Sequence, residues 1–174
     1  MISIRRADDN DSAILTSLGS ITFRESHGHS APPADIDAYD NRTFRDDILK
    51  KELRDAKNIY HIIYSDNKAA GFSKIILDSP YTGSEIKNIT KLDRLYLLQE
   101  FYNLRLGSTL FDFIANLMKE KNQKGVWLFT WKKNQRAIDF YQKKGFKIIG
   151  SYDFKLSETH SNPNHQMFLH FDER

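Results

Sequence analysis

The chain has 174 residues, 40% of them hydrophobic and 13% aromatic, which is enough to bury the core of one domain spanning 1–174. It contains no cysteine, which excludes disulfides, thiolate metal sites and a cysteine nucleophile and fits a reducing cytoplasm. The formal charge of +3 is spread over lysines and arginines interleaved with acids, so nucleic acid is not the expected partner; no apolar run is long enough to span a membrane, and the charged opening lacks a leader pattern.

Ile2 and Ile4 alternate with polar residues and predict a first strand ending at Arg6. Asp8, Asp9, Asp11 and Ser12 supply caps for a helix with apolar positions Ile14, Leu15, Leu18 and Ile21. Residues 26–35, SHGHSAPPAD, break it with glycine and paired prolines and read as a loop. The spacing of Tyr39, Phe44, Ile48 and Leu53 predicts one further helix over 37–53. Residues 59–65 and 68–78 then read as a hairpin turned by Asp66 and Asn67, which tolerate positive φ. The polar stretch 82–91 reads as a loop or an irregular strand extension.

Residues 91–98, KLDRLYLL, form a strand whose alternation places Leu92, Arg94, Tyr96 and Leu98 on one face and Asp93, Leu95 and Leu97 on the other. After the turn QEFYN, the residues Leu106, Leu110, Phe113, Ile114 and Leu117 recur at helical spacing, with Gly107, Ser108 and Thr109 in the first turn. A strand over 126–131 leads to Asn134, a good N-cap, and to a helix over 135–144 that Gly145 closes. Residues 146–150 begin the next strand, 157–166 connect, and 167–171 form the last strand, whose aromatics serve either the core or pairing between two copies in a homodimer. The pattern is α+β, a mixed sheet flanked by helices.

Several of these positions carry chemistry. A strand, a turn and a helix in succession aim the unpaired N–H groups and positive dipole end of the helix at the turn, which stabilises a phosphate. Asn134 as a cap contributes about 1 kcal/mol over alanine. Tyr141 lies one turn from Ala137 and Ile138, on the face turned towards the sheet, where a core tyrosine is the ordinary reading. Asp93 is an acid among apolar neighbours: a base, an anchor for a cationic amine, or the partner of Arg94 or a lysine. Five of the six histidines, 27, 29, 160, 165 and 170, lie in the proline-rich loop or near the C-terminus without a metal-ligand pattern, so no metal is expected, and hydrolase or P-loop motifs are absent.

Three stretches, RLYLLQEFYNLRLGSTLF, WLFTWKKNQRAIDFYQKKGFKIIG and the opening ISIRRADDND, resemble the GNAT family of N-acetyltransferases, and within it the PaiA-type polyamine acetyltransferases. The specific part is N-x-x-A-x-x-F-Y-x-x-x-G-F over 134–146. The resemblance implies a mixed, mostly antiparallel GNAT-like sheet and acetyl-CoA as cosubstrate. It aligns a Q/R-x-x-G-x-G/A pyrophosphate turn with Tyr102, Asn103, Leu104, Arg105, Leu106 and Gly107, running into Ser108 and Thr109. Gly107 fits that pattern; Tyr102 and Arg105 depart from it. It also places the backbone of Leu97 and Leu98 along the pantetheine arm, lets Asn134 bond the coenzyme, and makes Tyr141 the acid that meets the departing thiolate. A tyrosine near ~10 cannot fully protonate a thiolate near ~8.5 without about 2 kcal/mol, so a hydrogen bond is favoured. Asp93 matches a glutamate of the PaiA-type strand and would draw the proton from the amine through water. The implied activity is acetyl transfer to a polyamine or other small amine. Transfer to a peptide, or coenzyme binding without turnover, are the alternatives.

Overall fold

A computed structural model describes residues 1–172. Seven strands form one sheet in the order β1-β2-β3-β4-β5-β7-β6. They are β1 (Ile2–Arg6), β2 (Asn58–Ser65), β3 (Lys68–Ile76), β4 (Thr90–Leu97), β5 (Gly125–Trp131), β6 (Lys147–Lys155) and β7 (Ser161–His170). Every pair is antiparallel except β4 with β5. The expected α+β architecture with a mostly antiparallel sheet is therefore present.

Helices α1 (Ser12–His27), α2 (Pro33–Thr43) and α3 (Asp46–Arg54) cover one face, where Leu15, Leu18, Phe23, Ile36, Phe44 and Leu49 meet Tyr60, Ile62 and Phe72 of the sheet. Helices α4 (Leu106–Glu120) and α5 (Gln135–Lys143) cover the other, with Leu110, Ile114 and Met118 against Ile63, Ile75 and Leu128. Such fully buried side chains each contribute about 1.5–3 kcal/mol of burial.

The helix expected over 37–53 is two. Phe44 leaves helical geometry (φ −108°, ψ 63°), and its ring lies so close to α1 that a Cβ on Gly19 would sit 2.1 Å from it. Burying that ring breaks the helix, and Asp46 and Asp47 start the next one. Pro33 starts α2 rather than prolonging a loop, because a missing N–H costs nothing in a first turn. Two stripes are rotated from expectation. Ile21 is exposed on α1 while Thr22 and Phe23 are buried, and on α4 Phe111, Ala115 and Met118 are buried while Phe113 is exposed. The last strand begins at Ser161, not 167, because Pro163 is accommodated opposite Asp153 on β6. β7 lies between β5 and β6, with Met167 and Phe171 buried, so it offers no free edge for pairing two copies through Phe168 and Phe171. The edge strands of the sheet are β1 and β6.

Two irregularities of β4 position the site. Ile75 pairs with Leu92 and Lys74 with Arg94, leaving Asp93 as an extra residue in a bulge. The bulge overturns the simple alternation: Leu92 joins Leu95 and Leu97 on the α4 side, while Arg94 and Tyr96 face α1 and α2. Asp93 does not share the side of Leu95 and Leu97 but meets Lys74, Lys91 and Arg94. The second irregularity is that β4 and β5 pair only at Thr90 with Val126 and Lys91 with Trp127. Beyond that point the strands fork.

Candidate active site

The fork opens a cleft of about 1310 Å³ that runs from the N-terminus of α4 across the sheet to α1 and α2. Its wall is the unpaired edge of β4. The Leu98 N–H bonds the Ala70 carbonyl on β3. Alternation in an antiparallel pair then turns the N–H and C=O of Leu97 and Leu95 to the open side, where no strand takes them up. Leu97 thus has the free backbone groups expected of it. Leu98 does not, and Leu95 replaces it.

At one end lies the turn before α4. Asn103 (φ 66°) and Arg105 (φ 60°) both adopt the left-handed conformation. Arg105 therefore keeps the backbone path that a glycine would take, at about 1–2 kcal/mol for its Cβ. Gly107 brings α4 against β4: a Cβ there would stand 3.3 Å from Leu97 Cδ1. Tyr102, Asn103, Arg105, Leu106, Gly107 and Ser108 line the cleft, whereas Leu104 and Thr109 do not and are exposed. Arg136 of α5 stacks 4.1 Å above the Tyr102 ring and donates to Asn103 Oδ1 at 3.3 Å, which stiffens the turn. Lys144 Nζ donates to Ser108 Oγ at 2.6 Å. Arg105, Arg136, Lys143 and Lys144 give this end positive charge. The turn, the dipole and these cations fit the phosphates of a nucleotide-bearing coenzyme, and the open edge of β4 fits an amide-rich arm.

In the middle, Asn134 caps α5 by accepting from the Ala137 N–H at 3.2 Å. Tyr141 is buried in the core and reaches the cleft, as its helical position predicts. Its hydroxyl makes no hydrogen bond among the described residues, and burial pushes its pKa up, so it is a protonated donor without a partner.

At the far end Asp93 sits in a network rather than alone. It is 3.1 Å from both Lys74 and Lys91, and Glu52 is 3.0 Å from Lys74 and 3.3 Å from Arg94. Tyr60 donates to Glu52 and accepts from Arg94. Burial alone would raise the Asp93 carboxyl, yet Arg94, Lys74 and Lys91 hold it well below the usual carboxylate range. Glu25 is different: it lies nearer the turn before α4, beside Tyr102, has no ion pair among the described residues, and its Oε2 accepts from the Gln99 N–H at 2.8 Å. Phe23, Tyr39, Tyr96, Trp131 and Phe154 complete this end with aromatic surface. Tyr96, Trp131, Arg136 and His27 carry no motif of their own in the sequence. Only the fork and the packing of α1 and α5 bring them together. Among the described residues no group of three His, Cys, Asp or Glu side chains is placed to hold a metal, and no helix is long and apolar enough to cross a membrane.

A forked mixed sheet with an anion-binding turn at one mouth and an aromatic chamber at the other defines an acyl-coenzyme A-dependent transferase. The model of the acetyltransferase (GNAT) family matches residues 21–146, and the chain belongs to that family. It is an acyltransferase with acetyl-CoA as donor. It is 24% identical, over 90% of its length and 91% of the relative's, to an uncharacterised N-acetyltransferase of Lactobacillus delbrueckii subsp. lactis. It is 22% identical to the spermidine N(1)-acetyltransferase of Thermoplasma acidophilum, over 84% of this chain and 89% of that one. The crystal structure of the PaiA N-acetyltransferase from the same organism, in complex with coenzyme A, matches 98% of this chain and 99% of its own with a TM-score of 0.82 at 19% identity.

Proposed function

We propose that this chain, acting as a single cytoplasmic catalytic domain over 1–174, transfers acetyl from acetyl-CoA directly to a small primary amine, and that the preferred acceptors are polyamines. The observation that carries the direct-transfer part is the fork. It leaves one continuous cleft from the phosphate turn to the aromatic chamber, so donor and acceptor meet without a covalent enzyme intermediate.

In this reading the backbone N–H groups of the turn, with Arg105 and Arg136, hold the phosphates. The exposed N–H and C=O of Leu95 and Leu97 hold the amide-rich arm and set the thioester carbonyl against a backbone donor. Asn134 keeps α5 capped, so Tyr141 points at the sulfur. Its unpartnered hydroxyl donates to the thiolate as charge develops there, without giving up its proton. Asp93 stays ionised and anchors Lys74, Lys91 and Arg94. A carboxylate held so low is a poor base, so its part is electrostatic and positional.

Polyamines are supported by the Thermoplasma relative and by Glu25, a cleft carboxylate beside Gln99 and Tyr102 that has no ion pair among the described residues. A distal ammonium of a polyamine fits beside it. The test is acetyl-CoA calorimetry followed in the same sample by thiol release with spermidine, a monoamine such as tyramine, and a peptide mixture. Spermidine turnover that Glu25→Gln weakens at least several-fold in KM, with tyramine unaffected, is the expected result. Transfer to peptides alone would replace the small-amine reading. Coenzyme binding without release for any amine would leave a catalytically silent binder.

A further inference from the structure

Two hydrogen-bond acceptors at the chamber end are left over by the packing. The first is His27, in the last turn of α1, whose ring stacks on Phe23 at 5.3 Å and lies 5.8 Å from Trp131 and 6.3 Å from Tyr96. Its Nδ1 is 2.6 Å from Ser26 Oγ, and Ser26 Oγ is 2.8 Å from the Thr22 carbonyl four residues back. A hydroxyl has one hydrogen, and the carbonyl, which only accepts, takes it. Nδ1 must then be the donor in the remaining bond, so the lone pair of the neutral ring is on Nε2. Nε2 has no partner among the described residues, and His27 lines the cleft. Burial among the rings, with His29 nearby, pushes its pKa down to about 4, so it is neutral under physiological conditions.

The second is Asn164 of β7. It is the cross-strand partner of Trp131, so the two side chains share a face of the sheet. Its Oδ1 is buried with no hydrogen-bond partner, and it too lines the cleft. The neighbouring Asn162 shows the contrast, since its amide is committed to Ser30 and His160. A buried acceptor left unmade costs about 1–3 kcal/mol, a cost that a ligand donor recovers.

We propose that His27 Nε2 and Asn164 Oδ1 hold the N–H groups of the acceptor nitrogen, on either side of Trp131, and that His27 takes the proton this nitrogen loses. The inference rests on the N-acetyltransferase reading. In the step, the nitrogen lone pair forms the N–C bond to the thioester carbonyl carbon, and the C=O π pair moves to oxygen. That pair returns as the C–S bond breaks, and sulfur leaves with its bonding electrons as the thiolate. The N–H proton passes to the Nε2 lone pair and from there to water, while a proton from water converts the thiolate to the thiol. A neutral imidazole of this kind cannot deprotonate an alkylammonium before attack, so the amine must arrive already neutral. His27 acts only as the N–C bond makes the nitrogen acidic. Asn164 is a positioning group that aims the lone pair.

The experiment compares wild type with His27→Leu, His27→Gln and Asn164→Leu. It measures acetyl-CoA binding by calorimetry, amine-dependent thiol release, and the imidazole nitrogens by ¹⁵N NMR at neutral pH. His27→Leu is expected to lower kcat/KM for the amine by about 10²-fold or more with the coenzyme Kd within twofold. His27→Gln, which keeps an acceptor but cannot take a proton, should recover the amine KM but not kcat. Asn164→Leu should raise the amine KM at least several-fold with kcat less affected, its fold checked by unchanged coenzyme binding. The NMR should show Nδ1 protonated and Nε2 bare. A protonated Nε2, or His27→Leu with amine kcat/KM within threefold of wild type, overturns the proposal. Wild type that binds coenzyme yet acetylates no amine defeats the transferase reading on which it rests; the NMR arm still decides the tautomer.

Discussion

Tyr141 and Asp93 are both cleft residues, yet their surroundings give them opposite behaviour on substitution. The Tyr141 hydroxyl has no hydrogen-bond partner among the described residues, so Tyr141→Phe orphans none of them. It should lower kcat by about 10²-fold while thermal melting and the coenzyme Kd stay near wild type. A variant at wild-type rate would remove Tyr141 from the chemistry. Asp93→Asn strips the shared counter-charge from Lys74, Lys91 and Arg94 and should cost about 3 kcal/mol at pH 7 in urea unfolding. The sign with pH follows from the lowered carboxyl. Its contribution is full above the unfolded aspartate value near ~3.9 and is lost as pH falls through the lower folded value. The unfolding curves of wild type and Asp93→Asn should therefore converge in acid, and a constant gap down to pH 2 would contradict the network.

The turn before α4 and the open edge of β4 are the elements that recognise the coenzyme. Arg105→Gly relieves a left-handed Cβ but adds the chain entropy of glycine, so stability should move by less than about 1 kcal/mol while coenzyme affinity weakens and loses salt dependence. Unchanged affinity by calorimetry would mean that Arg105 only shapes the turn. The amides of Leu95 and Leu97 should exchange rapidly in the free protein and slow markedly with coenzyme, whereas Leu98, bonded to Ala70, should not respond. Much at this scale was legible beforehand. The cap at Asn134, the glycine at 107, the Tyr141 face and the hairpin at Asp66 all depend on local residue chemistry that the chain states directly. What was hidden depended on partners distant in sequence. Phe44 ends a helix because Gly19 leaves room for its ring, and β7 tolerates Pro163 because of where β6 lies. Asp93 became a bulge because of its pairing with β3, which no alternation pattern of β4 alone reveals. His27 and Asn164 lie 137 positions apart and meet only through Trp131.

On the whole molecule the fork makes two helical layers depend on one short parallel pairing, Thr90 with Val126 and Lys91 with Trp127. A ligand lying along the open edges of β4 and β5 supplies the contacts that the missing pairings do not. Saturating acetyl-CoA, at about 100 times its Kd, should therefore add about 2.7 kcal/mol to unfolding and raise the melting temperature in a concentration-dependent way. A melting point indifferent to the coenzyme would argue that the cleft does not receive it.

The bulge at Asp93 gives β4 a change of parity halfway along its length. Before it, even-numbered positions face α4; after it, odd-numbered ones do. Deleting that single residue would remove a carboxylate and turn nothing over: Leu92 and Arg94 would follow one another opposite Ile75 and Lys74, with Leu95 and Leu97 still on the α4 side and Tyr96 still facing α1, whereas a deletion in the regular part of β4 would turn over the strand on one side of the gap. A deletion scan and a substitution scan of β4 should therefore agree at this position and diverge away from it.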